Sequence, residues 1–171
     1  MGNIKVVHLS PSQWQQYKEL RLEALKNEPQ AMLTAYEKAK DYSDEEWQSR
    51  LEKSSQNIYF AEKENSLAGM TGIKFGEMPK SEHVVTIWGV YVKPEYRGLG
   101  VAKKMLQTIM AELDANPKVV KVSLGVVASQ IPAYNLYKSL GFREVGVQEK
   151  QIYVGGSYYD EILMEKIINH H

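Results

Sequence analysis

One junction restricts the folds open to this chain more than any other feature. "HVVTIWGVYV" (83–92) carries β-branched and aromatic residues in a strand-like run. After it, Ala102, Met105, Leu106, Ile109, Met110 and Leu113 recur at helical spacing. Only "KPEYRGLG" (93–100) separates the two. A strand this long and apolar is expected to be buried on both faces of a sheet. Its short turn into an amphipathic helix predicts a layered α/β domain, with Arg97, Gly98 and Gly100 at the turn.

The flanking sequence completes the pattern. "IKVVHL" (4–9) reads as a first strand. Trp14, Tyr17, Leu20 and Ala24 define a helix that starts near Pro11 and ends before Pro29. "SDEEW" (43–47) is a capping-box signature and opens a second helix. "NIYFAEK" and "LAGMTGIKF" are strands joined by "ENS". After 116–117, where "NP" stops the third helix, come a strand at 119–127 and a short helix in "IPAYNLYKSLGF" closed by Gly141. Two last strands flank the hairpin signal Gly155-Gly156. The order is β-α-α-β-β-β-α-β-α-β-β, without linker or repeat. One domain over residues 1–168 is expected, and His170-His171 read as a possible tag remnant over 169–171.

Bulk properties remove several function classes. The 21 basic and 21 acidic residues cancel, so no field of one sign favours nucleic acid or a membrane surface. No apolar run is long enough to span a bilayer, no secretory leader is recognisable, and Val6 stands where a myristoylation signal after Met1-Gly2 needs Ser or Thr. Cytoplasm is the expected compartment. The absence of cysteine excludes disulfides, thiolate metal sites and a covalent Cys intermediate, and no metal cluster is expected.

The turn has its own chemistry. A helix N-terminus presents unpaired N–H groups and the positive end of its dipole. Glycines let a ligand approach the backbone, and an Arg adds donors suited to phosphate. "RGLGVA" (97–102) therefore reads as an anion cradle, with a glycine-rich turn and solvated Arg as the plain alternative. It is neither a P-loop, since Val101-Ala102 follow Gly100, nor a dinucleotide fingerprint, since Lys103 stands where that needs glycine or alanine.

Arg97-x-x-Gly100-x-Ala102 after "VYVKPEY" resembles the acyl-CoA pyrophosphate signature of the GNAT superfamily of N-acetyltransferases. "SLGVVASQIPAYNLYKSLGF" (123–142) is similar to the second signature of that family. The resemblance implies a mixed, mostly antiparallel sheet of about seven strands flanked by about four helices, as in small bacterial acetyltransferases. It implies acetyl-CoA as co-substrate and transfer to an amine. Val90, Tyr91 and Val92 would pair with pantetheine, and Arg97, Gly98, Leu99, Gly100, Val101 and Ala102 would hold the pyrophosphate. Gln130 or Asn135 would replace a pantetheine-binding Asn of the family. Tyr137 matches a Tyr beside the thioester sulfur. A phenol, neutral at pH 7, can protonate the departing thiolate. By spacing alone Tyr137 reads equally as a core residue, four after Ala133.

The attacking amine must lose its charge, which calls for a base or a water chain. Some family members carry a Glu on strand five, where this chain has Gly125. Glu82 and His83, at the start of the fourth strand, are the alternative bases. Acceptor specificity in the family comes from the first two helices and the last hairpin, which here supply Glu28, Tyr36, Trp47, Tyr153, Tyr158 and Tyr159. These read either as an aromatic-walled pocket or as ordinary packing. The Asp160-Glu161 pair reads equally as an outward edge. The expected reaction is direct transfer in a ternary complex to a small primary amine. A protein or peptide amine, or acyl-CoA binding without turnover, are the alternatives. A homodimer is expected only by analogy.

Overall fold

The computed structural model describes residues 3–52 and 56–170. The myristoylation reading at Met1-Gly2 and the tag reading at His171 lie outside the described residues. His170 lies inside them, and its Nε2 donates to the Val119 carbonyl at 2.6 Å.

Strand β1 (Lys5–Val7) is followed by a 3-10 turn at Pro11–Gln13 and by α1 (Trp14–Asn27). Pro29 cannot continue the helix, and the chain makes a second 3-10 turn at Pro29–Ala31. A single helical turn, α2 (Tyr36–Ala39), falls inside the connection where no helix was expected. The capping box forms as read: the Ser43 N–H donates to Glu46 Oε2 at 2.7 Å and the Glu46 N–H to Ser43 Oγ at 3.2 Å, starting α3 (Asp44–Glu52). Tyr17 of α1 stands edge-on to Trp47 of α3 at 5.4 Å, and both are buried.

The remaining elements are β2 (Gln56–Lys63), β3 (Ser66–Phe75), β4 (Val84–Val92), α4 (Val101–Asp114), β5 (Lys121–Val127), α5 (Ile131–Ser139), β6 (Arg143–Val154) and β7 (Ser157–Ile167). The seven strands form one sheet in the order β1-β2-β3-β4-β5-β7-β6. Helices α1 and α3 cover one face, where Tyr17, Leu20 and Trp47 pack with Phe60 of β2. The other face packs Leu106, Ile109 and Leu113 of α4 with Tyr137 of α5 against Val85, Ile87, Val122 and Met164.

Every pairing is antiparallel except β4 with β5, which are parallel and matched only over Val84–Thr86 and Lys121–Ser123. Beyond Thr86 the strands part. β5 follows β7 along its whole length, from Lys121 opposite Ile167 to Val127 opposite Glu161. β4 stays with β3 across a register shift near Gly72 and bends at Gly89, whose φ is +63°. A Cβ at Gly89 would lie 2.9 Å from Arg21 Nη1. The expectation for β4 is corrected: Val85 and Ile87 are buried, but Thr86 is exposed although paired with Lys74 and Ser123, and residues 88–90, past the pairing with β5, are half-buried. The fifth strand begins at Lys121 rather than 119, since the Val120 and Lys121 N–H groups both go to the His83 carbonyl.

Candidate active site

The parted strands open a cleft of about 610 Å³ bounded by Val90–Val92, the 96–103 loop and the first turns of α5. On the β4 and loop side it offers backbone. Past Thr86, β4 has no ladder partner on the β5 side, so its edge is available to an extended chain. At the loop, Gly98 and Gly100 have φ of +73° and +81°, a conformation most side chains resist. A Cβ on either would point into open space, so it is backbone conformation rather than crowding that calls for glycine. The first intrahelical bond of α4 runs from the Lys104 N–H to the Gly100 carbonyl, leaving the earlier amides at the positive end of the helix dipole. An unpaired strand edge leading to a ring of free amides fits acetyl-CoA: an extended pantetheine arm ending in a pyrophosphate.

Arg97 is not turned toward that ring. Its Nε donates to the Val92 carbonyl at 3.0 Å and Nη2 to Glu28 Oε1 at 2.9 Å. Glu28 also accepts from Gln30 and Gln130 Nε2, each at 3.2 Å. The carboxylate thus stands between the loop and α5 inside the cleft. Glu28, read from sequence as an acceptor-side residue, lines the large cleft and not the small chamber behind Tyr137.

Tyr137 is buried at the inner end of the cleft, 5% exposed, with its ring 6.2 Å from Phe142. Burial pushes its phenol well above the ordinary tyrosine range, so the group is a proton donor at neutral pH. Behind it lies a narrow chamber of about 40 Å³, which Ala31, Val90, Gln130 and Tyr137 share with the cleft. Trp88, Gly125 and Glu161 also line it.

Glu161 is the residue that sequence reasoning left unresolved. The Asp160-Glu161 pair divides. Asp160 Oδ1 accepts the Lys150 N–H at 2.7 Å and pins a bulge in β6, while Glu161 turns into the chamber. Burial raises the Glu161 carboxyl above the usual carboxylate range. The sequence signal was a pair of residues: a glycine on one strand and a Glu placed by pairing on the next.

Other readings change. Glu82 and His83 are exposed at the start of β4, on the order of 20 Å along the strand from Val90. Neither lines the cleft or the chamber, because β4 and β5 are still paired at that end. Asn135 and Leu99 are exposed and outside both cavities, while Gln130 lines both. Tyr91 contributes to the cleft wall, but its hydroxyl points to α1, donating to Glu23 and accepting from Asn27, each at 2.8 Å. Burial pushes its pKa up to about 12. The aromatic residues do not form one pocket. Trp47 is core, Tyr36 lies beneath Lys26, and Tyr153 stacks on Tyr158 at the exposed hairpin tip. Among the described residues no group of three His, Asp or Glu side chains is placed to hold a metal, and no helix is long and apolar enough to cross a membrane.

The chain was compared with known proteins. The profile of the acetyltransferase (GNAT) family matches residues 14–142. An N-acetylaspartate synthetase of Xenopus tropicalis is 35% identical over 88 residues, covering 50% of this chain and 31% of the relative. An N-alpha-acetyltransferase of Sulfurisphaera tokodaii is 43% identical over 68 residues, covering 40% of this chain and 39% of the relative. The chain therefore spans about a third of the length of these curated relatives. The crystal structure of a GNAT-family acetyltransferase from Streptococcus pneumoniae superposes with a TM-score of 0.85 at 19% identity, over 98% of this chain and 100% of that one. With the profile matched over most of its length and the cleft built from the residues that carry the resemblance, the chain belongs to the GNAT family of acetyltransferases, whose co-substrate is acetyl-CoA.

Proposed function

We infer that the protein transfers an acetyl group from acetyl-CoA to a primary amine of a small molecule, by direct attack within a ternary complex. The observation that carries this reading is the chamber beyond Tyr137. It holds about 40 Å³, and the Pro29–Ala31 turn packs over β5 and β6 beside it. Such a space suits a compact amine head better than an extended peptide.

Acetyl-CoA supplies an acetyl group activated as a thioester. The β4 edge at Val90 and Val92 orients its pantetheine arm, and the amides from Gly98 to Ala102 hold its pyrophosphate. Tyr137 donates its phenolic proton to the sulfur as the carbon–sulfur bond breaks. The chain has no cysteine, so no acyl-thiol relay intervenes.

One curated relative is named for N-acetylaspartate, an acetylated small amine, which agrees with this reading. The other is named an N-alpha-acetyltransferase, and that name favours a second reading in which a peptide N-terminus is acetylated. The first test is thermal unfolding with acetyl-CoA, CoA, ATP and NAD. A ligand that binds only the folded protein at about 100 times its Kd stabilises it by roughly 2.7 kcal/mol. Acetyl-CoA and CoA alone should raise the midpoint. Thiol release is then measured with small amines and with peptides bearing a free N-terminus. Turnover of small amines alone supports the proposal, and turnover of peptides alone replaces it with the second reading. A midpoint unmoved by acetyl-CoA overturns both.

A further inference from the structure

We propose that Glu161, reaching from β7 across Gly125 of β5, is the general base that takes the proton from the acceptor amine. The proposal rests on the acetyltransferase reading given above.

Geometry carries the assignment. A Cβ built on Gly125 would lie 2.3 Å from Glu161 Oε1 and 2.7 Å from Cδ. The carboxyl group therefore fills the space that a side chain of β5 would occupy. That space opens on the gap between β4 and β5, and the chamber there is lined by both Glu161 and Tyr137. A base and an acid thus face one small volume.

The second argument is the absence of a partner. The other carboxylates around the cleft are engaged: Glu28 by Arg97 and Gln130, Glu23 by Tyr91 and Lys93. Glu161 has no hydrogen bond or ion pair among the described residues. A part-buried carboxylate without a donor is costly, and an ammonium entering the chamber supplies one. Burial also raises its proton affinity, which moves a carboxylate toward the range of a useful base. The titratable groups that approach it are few. Tyr137 faces it from α5, Arg21 of α1 stands behind Gly89, and Glu28 lies on the far side of Gln130. From its cross-strand neighbours, Val127 on β5 and Gln148 on β6, comes no charge.

The step balances. Glu161 takes one proton from R–NH3+. The freed nitrogen pair forms the N–C bond and the C–S bond breaks, its electron pair leaving with sulfur. Tyr137 protonates that sulfur, and the second proton lost by nitrogen restores the phenol. The proton on Glu161 passes to solvent.

Two nearly isosteric probes separate this role from a structural one. Ethylamine is an ammonium ion at neutral pH, whereas methoxyamine is uncharged. Glu161→Gln is expected to lower kcat/KM for ethylamine by about 100-fold at pH 7. The loss should be at least ten times smaller with methoxyamine, and the shift of the unfolding midpoint by acetyl-CoA should persist. The double variant Glu161→Ala with Gly125→Glu, which returns a carboxylate to the same space from β5, should recover at least tenfold over Glu161→Ala. Equal losses for both amines, or no loss with ethylamine, overturn the assignment. If wild type turns over neither amine although acetyl-CoA binds, the small-acceptor reading fails and hydrolysis of acetyl-CoA becomes the readout. Hydrolysis slowed at least tenfold by Glu161→Gln sustains the base, and an unchanged rate overturns it.

Discussion

The large cleft and the small chamber behind it meet at Tyr137 but are made of different material. On its β4 and loop side the cleft offers main chain: an unpaired stretch of β4 and the amides around Gly98 and Gly100. The chamber is side chains contributed by β4, β5, β7 and α5. A main-chain site depends on a few local conformations and tolerates change in the residues around it. A side-chain site depends on which strands become neighbours, and one residue can move its chemistry from strand to strand.

The difference can be tested, beginning where the effect is largest. Gly100→Val forces a β-branched residue into φ near +81°, a left-handed conformation that costs about 1–2 kcal/mol. It should abolish the rise in unfolding midpoint with acetyl-CoA. Full retention of that rise would break the idea that main-chain conformation makes the cleft. Tyr137→Phe should lower kcat about 100-fold while leaving acetyl-CoA affinity nearly unchanged. Steady-state kinetics beside calorimetry reads this, and a parallel loss of binding would make the hydroxyl a binding contact instead.

A smaller effect is expected at Glu28, whose carboxylate lines the cleft proposed to take the cofactor. Glu28→Gln should tighten acetyl-CoA roughly fivefold, the size of a ~1 kcal/mol charge contribution at a partly exposed site. The gain should shrink as salt is added. Weaker binding in calorimetry would mean that Glu28 organises the cleft rather than obstructing it.

The chamber gives a pH signature. The folded-state pKa of Glu161 is raised by burial. The folded protein therefore holds this proton more tightly than the unfolded chain, and the associated stability is lost as pH rises through the raised value. Glu161→Gln should raise the unfolding midpoint at neutral pH, and the gain should vanish below the ordinary carboxylate range. A gain independent of pH would point to packing. Last, Glu82→Ala and His83→Ala should each leave kcat/KM within about twofold, as expected of exposed surface positions. A tenfold loss from either would return the base to the strand start.

The fold was legible because its signals are local. The helix starts at Pro11 and Ser43, the stop before Pro29, the hairpin at Gly155-Gly156 and all seven strands follow from spacing and turn residues. The single turn α2 was missed because four residues carry no period. Exposure of Thr86 was missed because an apolar run does not reveal which of its positions stay uncovered. The glycine turn at 97–102 was legible for the same local reason, as two positive-φ glycines at a helix start leave a mark in the sequence. Glu161 was not, because its position depends on the pairing of β5 with β7, about 36 residues apart in sequence. The place of Glu28 was not legible either, because its partner, Arg97, is 69 residues away in sequence.

The three-residue seam between β4 and β5 has a further consequence. Strands β1–β4 and β5–β7 form two blocks, joined within the sheet only by that seam and otherwise by the apolar cluster beneath it. Blocks joined this weakly can open separately, as cooperative units of unequal stability. A ligand lying along the free edge of β4 and against α5 spans both. It should turn two melting units into one, slowing amide exchange in β5–β7, several residues away from any atom it touches.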